Sequence, residues 1–295
     1  MPGPSVEYLT TKEVADLLRI KERKVYELAA SGAIPCSRAM GKLLFPRQAV
    51  NAWLADRSSG FMPVARAERP NVFLGSHDPL LEWALRDSRA GLATFFDGSL
   101  DGVERFARGE GVGTGLHVFD PEADAWNVPL VEARFAREPV VLMEWAWRER
   151  GLIISPDAEG RINGIADLRD KRVVSRQAEA GSQRLLEHLL DQAGLAGGAI
   201  EFTIITRTET DAALAVLEDK ADAAFGLLAL ARQFRLGFVP LVRERFDLLV
   251  DRRSWFEVPM QTLMDFCRSQ PFSARARELG GYDIGGLGRV RFNGS

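Results

Sequence analysis

Two stretches limit what this chain can fold into more than any others. VVLMEWAWRERGLIIS (Val140–Ser155) and FVPLVRERFDLLVD (Phe238–Asp251) are rich in aliphatic and aromatic residues and read as strands of unusual length. They bracket residues 156–237, which carry strand and helix signals of their own. A chain that leaves one body, builds a second and returns makes two crossovers. That layout predicts two lobes joined by the two long strands, with a cleft between them. Shorter apolar strands are predicted at Val72–Leu74, Ala93–Phe96, Leu116–Phe119, Arg172–Ser175, Phe202–Ile205 and Ala223–Leu227. They alternate with helices at Leu80–Arg86, Gly102–Arg108, Ser182–Gln192 and Asp211–Glu218, an order that implies largely parallel sheets.

The first sixty residues follow a different pattern. Thr10-x-x-Glu13 is a capping box, with Leu9 and Val14 placed as its hydrophobic staple. A helix with Val14, Leu17 and Leu18 on one face leads through a short turn to a second helix. There Val25, Leu28 and Ala29 point inward, and Gly32 stops the helix. Ile34–Phe45 reads as a short hairpin turning at Met40-Gly41. Pro46 then starts a third helix, with Val50, Trp53 and Leu54 inward. Lys21, Arg23 and Lys24 ring the first turn of the second helix, where cations oppose the helix dipole and a phosphate neighbour would relieve them.

Charge divides along the same boundary. Residues 1–58 carry nine Lys and Arg against six Asp and Glu, so they are positive, whereas the whole chain has a net charge of −3. A basic head on an acidic body is compatible with nucleic-acid binding by the head. Ala55–Pro70 is rich in Ser, Gly, Pro and Arg and reads as a linker. Two cysteines, Cys36 and Cys267, are too few for a disulfide framework or a zinc site. The sequence shows no signal peptide and no apolar run long enough to span a membrane, which predicts a cytoplasmic location.

Several predicted strand ends look alike. Gly75-Ser76-His77-Asp78, Asp97-Gly98-Ser99 and Gly181-Ser182-Gln183 each precede a helix, and Gly115-Leu116-His117 lies within a strand of the first lobe. Each is compatible with ordinary capping. Together they are also compatible with a site for a small oxyanion, because helix starts offer unpaired N–H groups and serine adds a donor. Catalysis is not expected. Ser76, His77 and Asp78 are adjacent and diverge, and there is no GxSxG, HExxH or P-loop motif. No cofactor is expected, and a metal would need His77, Asp78 and His117 to converge.

The segment LTTKEVADLL, KERKVYELAASGAIP and the closing VNAWL, within residues 8–55, resembles the excisionase and MerR-type winged helix-turn-helix family. The resemblance implies that the helix from Lys21 to Ser31 enters the major groove of DNA. Arg23, Lys24 and Tyr26 would then face bases or phosphates, and Arg38 and Lys42 would lie on the wing against the backbone. The family often has Ser and Thr where Lys21 and Lys24 stand, and both changes add positive charge.

LGSHDPLLEWAL, GLHVFDPEADAWNVPLV, VVSRQAEAGSQRLLEHLL and TETDAALAVLEDKADAAFG together resemble a second family. This is the periplasmic-binding-protein-like effector domain, also found fused to molybdopterin biosynthesis proteins and similar to type 2 proteins that bind oxyanions such as molybdate. The resemblance implies ligand contacts from Ser76, His77, Ser99, His117, Arg176, Gly181 and Ser182. In the family's Arg-x-x-Gly-Ser-Gly-Thr-Arg loop, Glu179 here replaces the first Gly and Gln183 the final Arg.

The expectation is therefore a multidomain α/β chain. Residues 1–58 form a winged helix-turn-helix domain, 59–70 a linker, and 71–295 a two-lobed type 2 binding-protein-like domain. Lobe I takes in about 71–150 and 245–295, and lobe II about 151–244. The implied function is a cytoplasmic one-component transcriptional regulator, a homodimer on double-stranded DNA, sensing molybdate or tungstate. An organic anion, a molybdenum cofactor, or an excisionase-like architectural role are the alternatives.

Overall fold

A computed structural model of the chain describes residues 8–39, 41–57, 68–178, 180–195 and 199–295. The expected turn residue Met40, the loop residue Glu179 and most of the expected linker lie outside the described residues. The chain divides into two compact units, residues 1–68 and 69–295.

In the first unit, β1 (Tyr8–Leu9) leads into α1 (Thr11–Leu18) and α2 (Glu22–Ala30). The hairpin of β2 (Ser37–Ala39) and β3 (Lys42–Pro46) and the helix α3 (Arg47–Asp56) follow. The Thr10 hydroxyl accepts the Glu13 N–H at 3.3 Å while Glu13 reaches back to the Thr10 N–H at 2.7 Å, completing the capping box. β1 was not anticipated; it pairs with β3 and makes the sheet three-stranded, in the order β1-β3-β2. Leu9, Val14, Ala15, Val25, Ala29, Ile34, Phe45 and Val50 form the core. Leu17, expected inward, is exposed on the flank of α1, and the small Ala15 takes the inward position. Trp53 Nε1 donates to the Ala33 carbonyl at 2.6 Å and fixes α3 against the end of α2.

The second unit begins with β4 (Val72–Gly75), α4 (Pro79–Asp87), β5 (Ala93–Phe96), α5 (Ser99–Ala107) and β6 (Gly113–Leu116). The small hairpin of β7 (Phe119–Asp120) and β8 (Ala125–Trp126) and the helix α6 (Val128–Phe135) lead to β9 (Val140–Ile154). The second lobe holds β10 (Arg172–Arg176), α7 (Gly181–Gln192), β11 (Glu201–Thr206), α8 (Glu209–Leu217), β12 (Ala223–Leu227) and α9 (Leu228–Phe234). The chain returns along β13 (Gly237–Asp251) to α10 (Arg252–Trp255), α11 (Val258–Cys267), α12 (Gln270–Leu279), β14 (Tyr282–Asp283) and β15 (Val290–Asn293).

β9 and β13 are each 15 residues long and run antiparallel from one lobe to the other. Through them the sheet is continuous, in the order β11-β10-β12-β9-β13-β6-β4-β5. β4, β5 and β6 are mutually parallel, as are β10, β11 and β12, but β9 and β13 run antiparallel to their neighbours, so the sheet is mixed rather than largely parallel. Alternation along the strands feeds a core on each face. Phe73, Met143 and Leu248 pack under α4, α11 and α12, while Leu74, Leu142 and Leu249 pack under α5 and α6. In the second lobe Leu152 and Ile154 face α7, and Ile153 faces α8 and α9.

The strand expected at Leu116–Phe119 lies earlier, at Gly113–Leu116. Its glycines allow the close fit. A Cβ on Gly113 would lie 2.7 Å from the Phe73 ring, and one on Gly115 would lie 2.6 Å from the Phe246 ring. The chain leaves the sheet at His117, where Asn127 Oδ1 accepts the Val118 N–H at 2.6 Å. Gly280–Ser295 completes the first lobe, with β14 and β15 both pairing on β9.

Candidate functional site

On the first unit, Lys21, Arg23, Lys24, Tyr26, Arg38 and Lys42 are all exposed. Lys21 is the N-cap of α2, and its neighbours follow in the first two turns, so the helix start is cationic as well as dipole-positive. Glu27 partly answers these cations: its carboxylate lies 3.5 Å from Arg23 and 3.1 Å from Lys24. Exposed pairs of this kind are weak and readily exchanged for another anion. The surface therefore presents exposed, weakly held cations, a phenol and a wing with two further cations, the groups suited to phosphates and base edges.

The cleft of the second unit brings together most of the predicted ligand residues. Ser76 opens the loop after β4 and Ser99 opens α5; their hydroxyls meet at 2.8 Å, and both are buried. Ser99 Oγ also accepts the His117 N–H at 3.2 Å. From the other lobe, Gly181 at the start of α7 lies against the same group. A Cβ there would stand 2.4 Å from the His117 carbonyl oxygen and 3.2 Å from Ser99 Oγ, so only glycine lets the lobes approach this closely. Next to it Ser182 is 1% exposed, and its hydroxyl has no hydrogen-bond partner among the described residues.

Two predicted residues lie outside this contact between the lobes. His77 Nε2 lies 3.0 Å from Glu82, with the ring edge-on to Phe96, while its buried Nδ1 has no hydrogen-bond partner among the described residues. Arg176 donates to the Thr206 and Arg207 carbonyls and lies 3.2 Å from Glu209, all within its own lobe. Asp78 is the α4 N-cap, accepting the Leu81 N–H at 2.7 Å, and also accepts from Trp145, Arg148 and Tyr282. His77, Asp78 and His117 do not converge, and among the described residues no group of His, Cys, Asp and Glu could hold a metal ion.

The floor of the cleft is a buried chain of charges that was not anticipated. Arg148 joins Asp78 at 2.8 Å to Glu244, Arg150 joins Glu244 at 2.8 Å to Glu209 at 2.9 Å, and Glu209 meets Arg176. Signs alternate, three guanidiniums against three carboxylates. Burial raises the Glu209 carboxyl, but Arg150 and Arg176 overcome it and hold the group at about 2. Glu244 is likewise held well below the usual range by Arg148 and Arg150 against its own burial. His117 Nδ1 lies 3.0 Å from Glu244 with its ring stacked on Phe246, and burial lowers its pKa despite that carboxylate. A neutral imidazole leaves the balance of charge intact.

Two further features tie the lobes. Asp97 of the first lobe meets the second at the rim: Gln177 Nε2 donates to its carbonyl at 3.0 Å and Arg207 to its carboxylate at 3.1 Å. The β7–β8 hairpin inserts Trp126 into the second lobe's core. Asn127 then turns the chain at φ +60°, a left-handed value that Asn accepts better than most residues, with Nδ2 donating to Asp247 at 2.8 Å. The signal for the buried chain was present in WRER (Trp147–Arg150) and RERF (Arg243–Phe246), charges in the middle of otherwise apolar strands.

Comparison with known proteins agrees with both units. A helix-turn-helix domain matches residues 8–58, and a PBP superfamily domain matches residues 82–268. An uncharacterized Bacillus subtilis protein, YvgK, is 24% identical over 95% of this chain and 96% of its own length. An uncharacterized Clostridium pasteurianum protein, from the 5′ region of a ferredoxin gene, is 31% identical over 24% of this chain and 63% of its own length. A crystal structure of a Clostridium perfringens substrate-binding protein with bound phosphate aligns with a TM-score of 0.52 at 11% identity, covering 75% of this chain and 99% of that one. Its likeness shows the two-lobed α/β fold. With more than half of its residues matched, the chain belongs to the PBP superfamily and carries a helix-turn-helix domain ahead of its binding-protein-like domain.

Proposed function

We propose that this chain is a cytoplasmic, non-enzymatic one-component transcriptional regulator, in which a small oxyanion bound between the lobes alters how the helix-turn-helix units sit on double-stranded DNA. The observation that carries the ligand reading is Ser182. The large majority of buried side-chain polar atoms in folded proteins have a hydrogen-bond partner, so this hydroxyl points to one that a ligand would supply. It lies in the first turn of the twelve-residue α7, beside the contact that Gly181 makes with Ser99 and His117 of the first lobe. The donors gathered there are hydroxyls and helix-terminal N–H groups, which suit an oxygen-rich anion. Molybdate and tungstate are the first candidates. The balanced charges of the floor favour a second reading, a larger organic anion such as a pterin cofactor, since Arg148, Arg150 and Arg176 each already face a carboxylate.

The ligand acts by binding the two lobe arrangements unequally; equal affinity would shift nothing. A thermal-shift series with molybdate, tungstate, sulfate, phosphate and organic anions tests the reading. A ligand at 100 times its dissociation constant stabilises by about 2.7 kcal/mol. Stabilisation by molybdate or tungstate but not sulfate, lost in Ser182→Ala, supports an oxyanion sensor. Stabilisation by organic anions alone supports the second reading, and a response undiminished in Ser182→Ala removes the site.

A further inference from the structure

The long sheet ends in β11 at one edge and in the four-residue β5 at the other. β11 pairs with β10 and, among the described residues, has no strand on its other side. Edge strands of soluble proteins are usually kept short, interrupted by a charge or proline, or covered. β11 has no charge or proline in its middle. It reads Phe-Thr-Ile-Ile-Thr between Glu201 at one end and Arg207 just past the other, and both of these are exposed. Phe202 is 43%, Ile204 39% and Ile205 73% exposed. A bulge contributes to this: Val173 stands opposite Phe202 and Ser175 opposite Ile205, so the alternation of faces is interrupted and two successive isoleucines are left outward.

We propose that this edge is a dimer interface, covered by a second copy of the same chain about a two-fold axis at Ile204. The order of charges argues for that occupant. Laid antiparallel about Ile204, Glu201 of one copy meets the second copy's Arg207, and the same pair recurs on the other side of the axis. A parallel arrangement sets like charges side by side, and a shifted one leaves them unmatched. A self-complementary pattern is what an isologous contact requires, and opposite charges directly across such a pair are favourable. Arg207 also holds Asp97 at the cleft rim through one nitrogen, which leaves other donors of its guanidinium for the second copy. The inference rests on the regulatory reading for its purpose, since a dimer carries two helix-turn-helix units to two half-sites.

The test is sedimentation velocity of the full chain over a concentration series. Wild type is expected to dimerise. Glu201→Arg and Arg207→Glu each oppose like charges at both ends, and each is expected to weaken self-association about tenfold. The double reversal restores opposite charges and is expected to recover the dimer. Ile204→Lys, which sets two ammonium groups on the axis, is expected to give monomers with an unchanged circular dichroism spectrum. A monomeric wild type overturns the interface, as does a dimer indifferent to these changes or a double reversal that fails to recover it. Binding of duplex DNA, read on the same samples, separates the two claims. A monomer that binds DNA removes the interface and leaves the regulator standing; a dimer that binds none does the reverse.

Discussion

Charge is used in two opposite ways in this molecule. On the helix-turn-helix unit, Arg23 and Lys24 are exposed and pair with Glu27, at 3.5 and 3.1 Å. In the cleft, Arg148 and Arg150 are buried and matched to Asp78, Glu244 and Glu209. The exposed pairs lose little when they part, so their cations can pass to phosphate. The buried pairs cannot part without leaving a charge in an apolar interior, so they fix geometry instead. The same residue types therefore serve exchange in one unit and rigidity in the other.

The most severe way to break that contrast is Glu244→Ala. It leaves Arg148 and Arg150 facing each other without their shared carboxylate, and a loss of about 3–5 kcal/mol is expected by urea unfolding. Removing exposed charge should behave otherwise. Arg23→Ala with Lys24→Ala is expected to leave urea unfolding nearly unchanged, to weaken duplex binding by about tenfold or more, and to flatten its dependence on log salt by about two units for each head engaged. Unchanged DNA affinity would move the interface off α2.

Acid titration sharpens the comparison. Glu209, held at about 2 by its arginines, contributes stability above the ordinary carboxylate range that is lost as pH falls toward 2. Asp247 runs the other way. Burial, only partly offset by Arg245 and Asn127, pushes it up to about 6. Its folded form favours the proton, so that contribution is present at low pH and is lost as pH rises through 6. The carboxyl carbon shift of Asp247 should titrate near 6, and in Asp247→Asn the decline in melting temperature from pH 5 to pH 7 should be shallower than in wild type. The smallest effect is on the head: Glu27→Gln frees Arg23 and Lys24 and should tighten DNA binding by about two- to threefold, seen by fluorescence anisotropy. Weaker binding would give Glu27 a direct role.

Much of the architecture was legible because its signals are local. Thr10 and Glu13 announce a capped helix, and two long apolar runs announce the strands that join the lobes. The serines and Gly181 of the cleft were legible as strand-end residues, and their convergence agrees with that pattern. What was not legible depends on register. Whether Arg148 and Glu244 face each other is decided by the pairing of β9 with β13, and that pairing contains two shifts. Asp78 shows the same limit. The local Gly-Ser-His-Asp pattern foretold its cap, but its ties to Arg148 and Tyr282 span 70 and 204 residues of sequence. The position of β6 was misjudged because Gly113 and Gly115 carry no hydrophobic signal, although their lack of side chains is what lets the strand fit between β4 and β13.

The most direct test of the account is the affinity of the full chain for the duplex upstream of its own gene, measured by anisotropy with and without an anion that thermal shift has shown to bind. Allosteric coupling of about 1–3 kcal/mol corresponds to a change of about 5- to 150-fold in DNA affinity. The account predicts a change in that range, abolished by Gly181→Ala, whose added methyl would meet the His117 carbonyl and hold the lobes apart. The same DNA affinity with the anion bound and absent would contradict it.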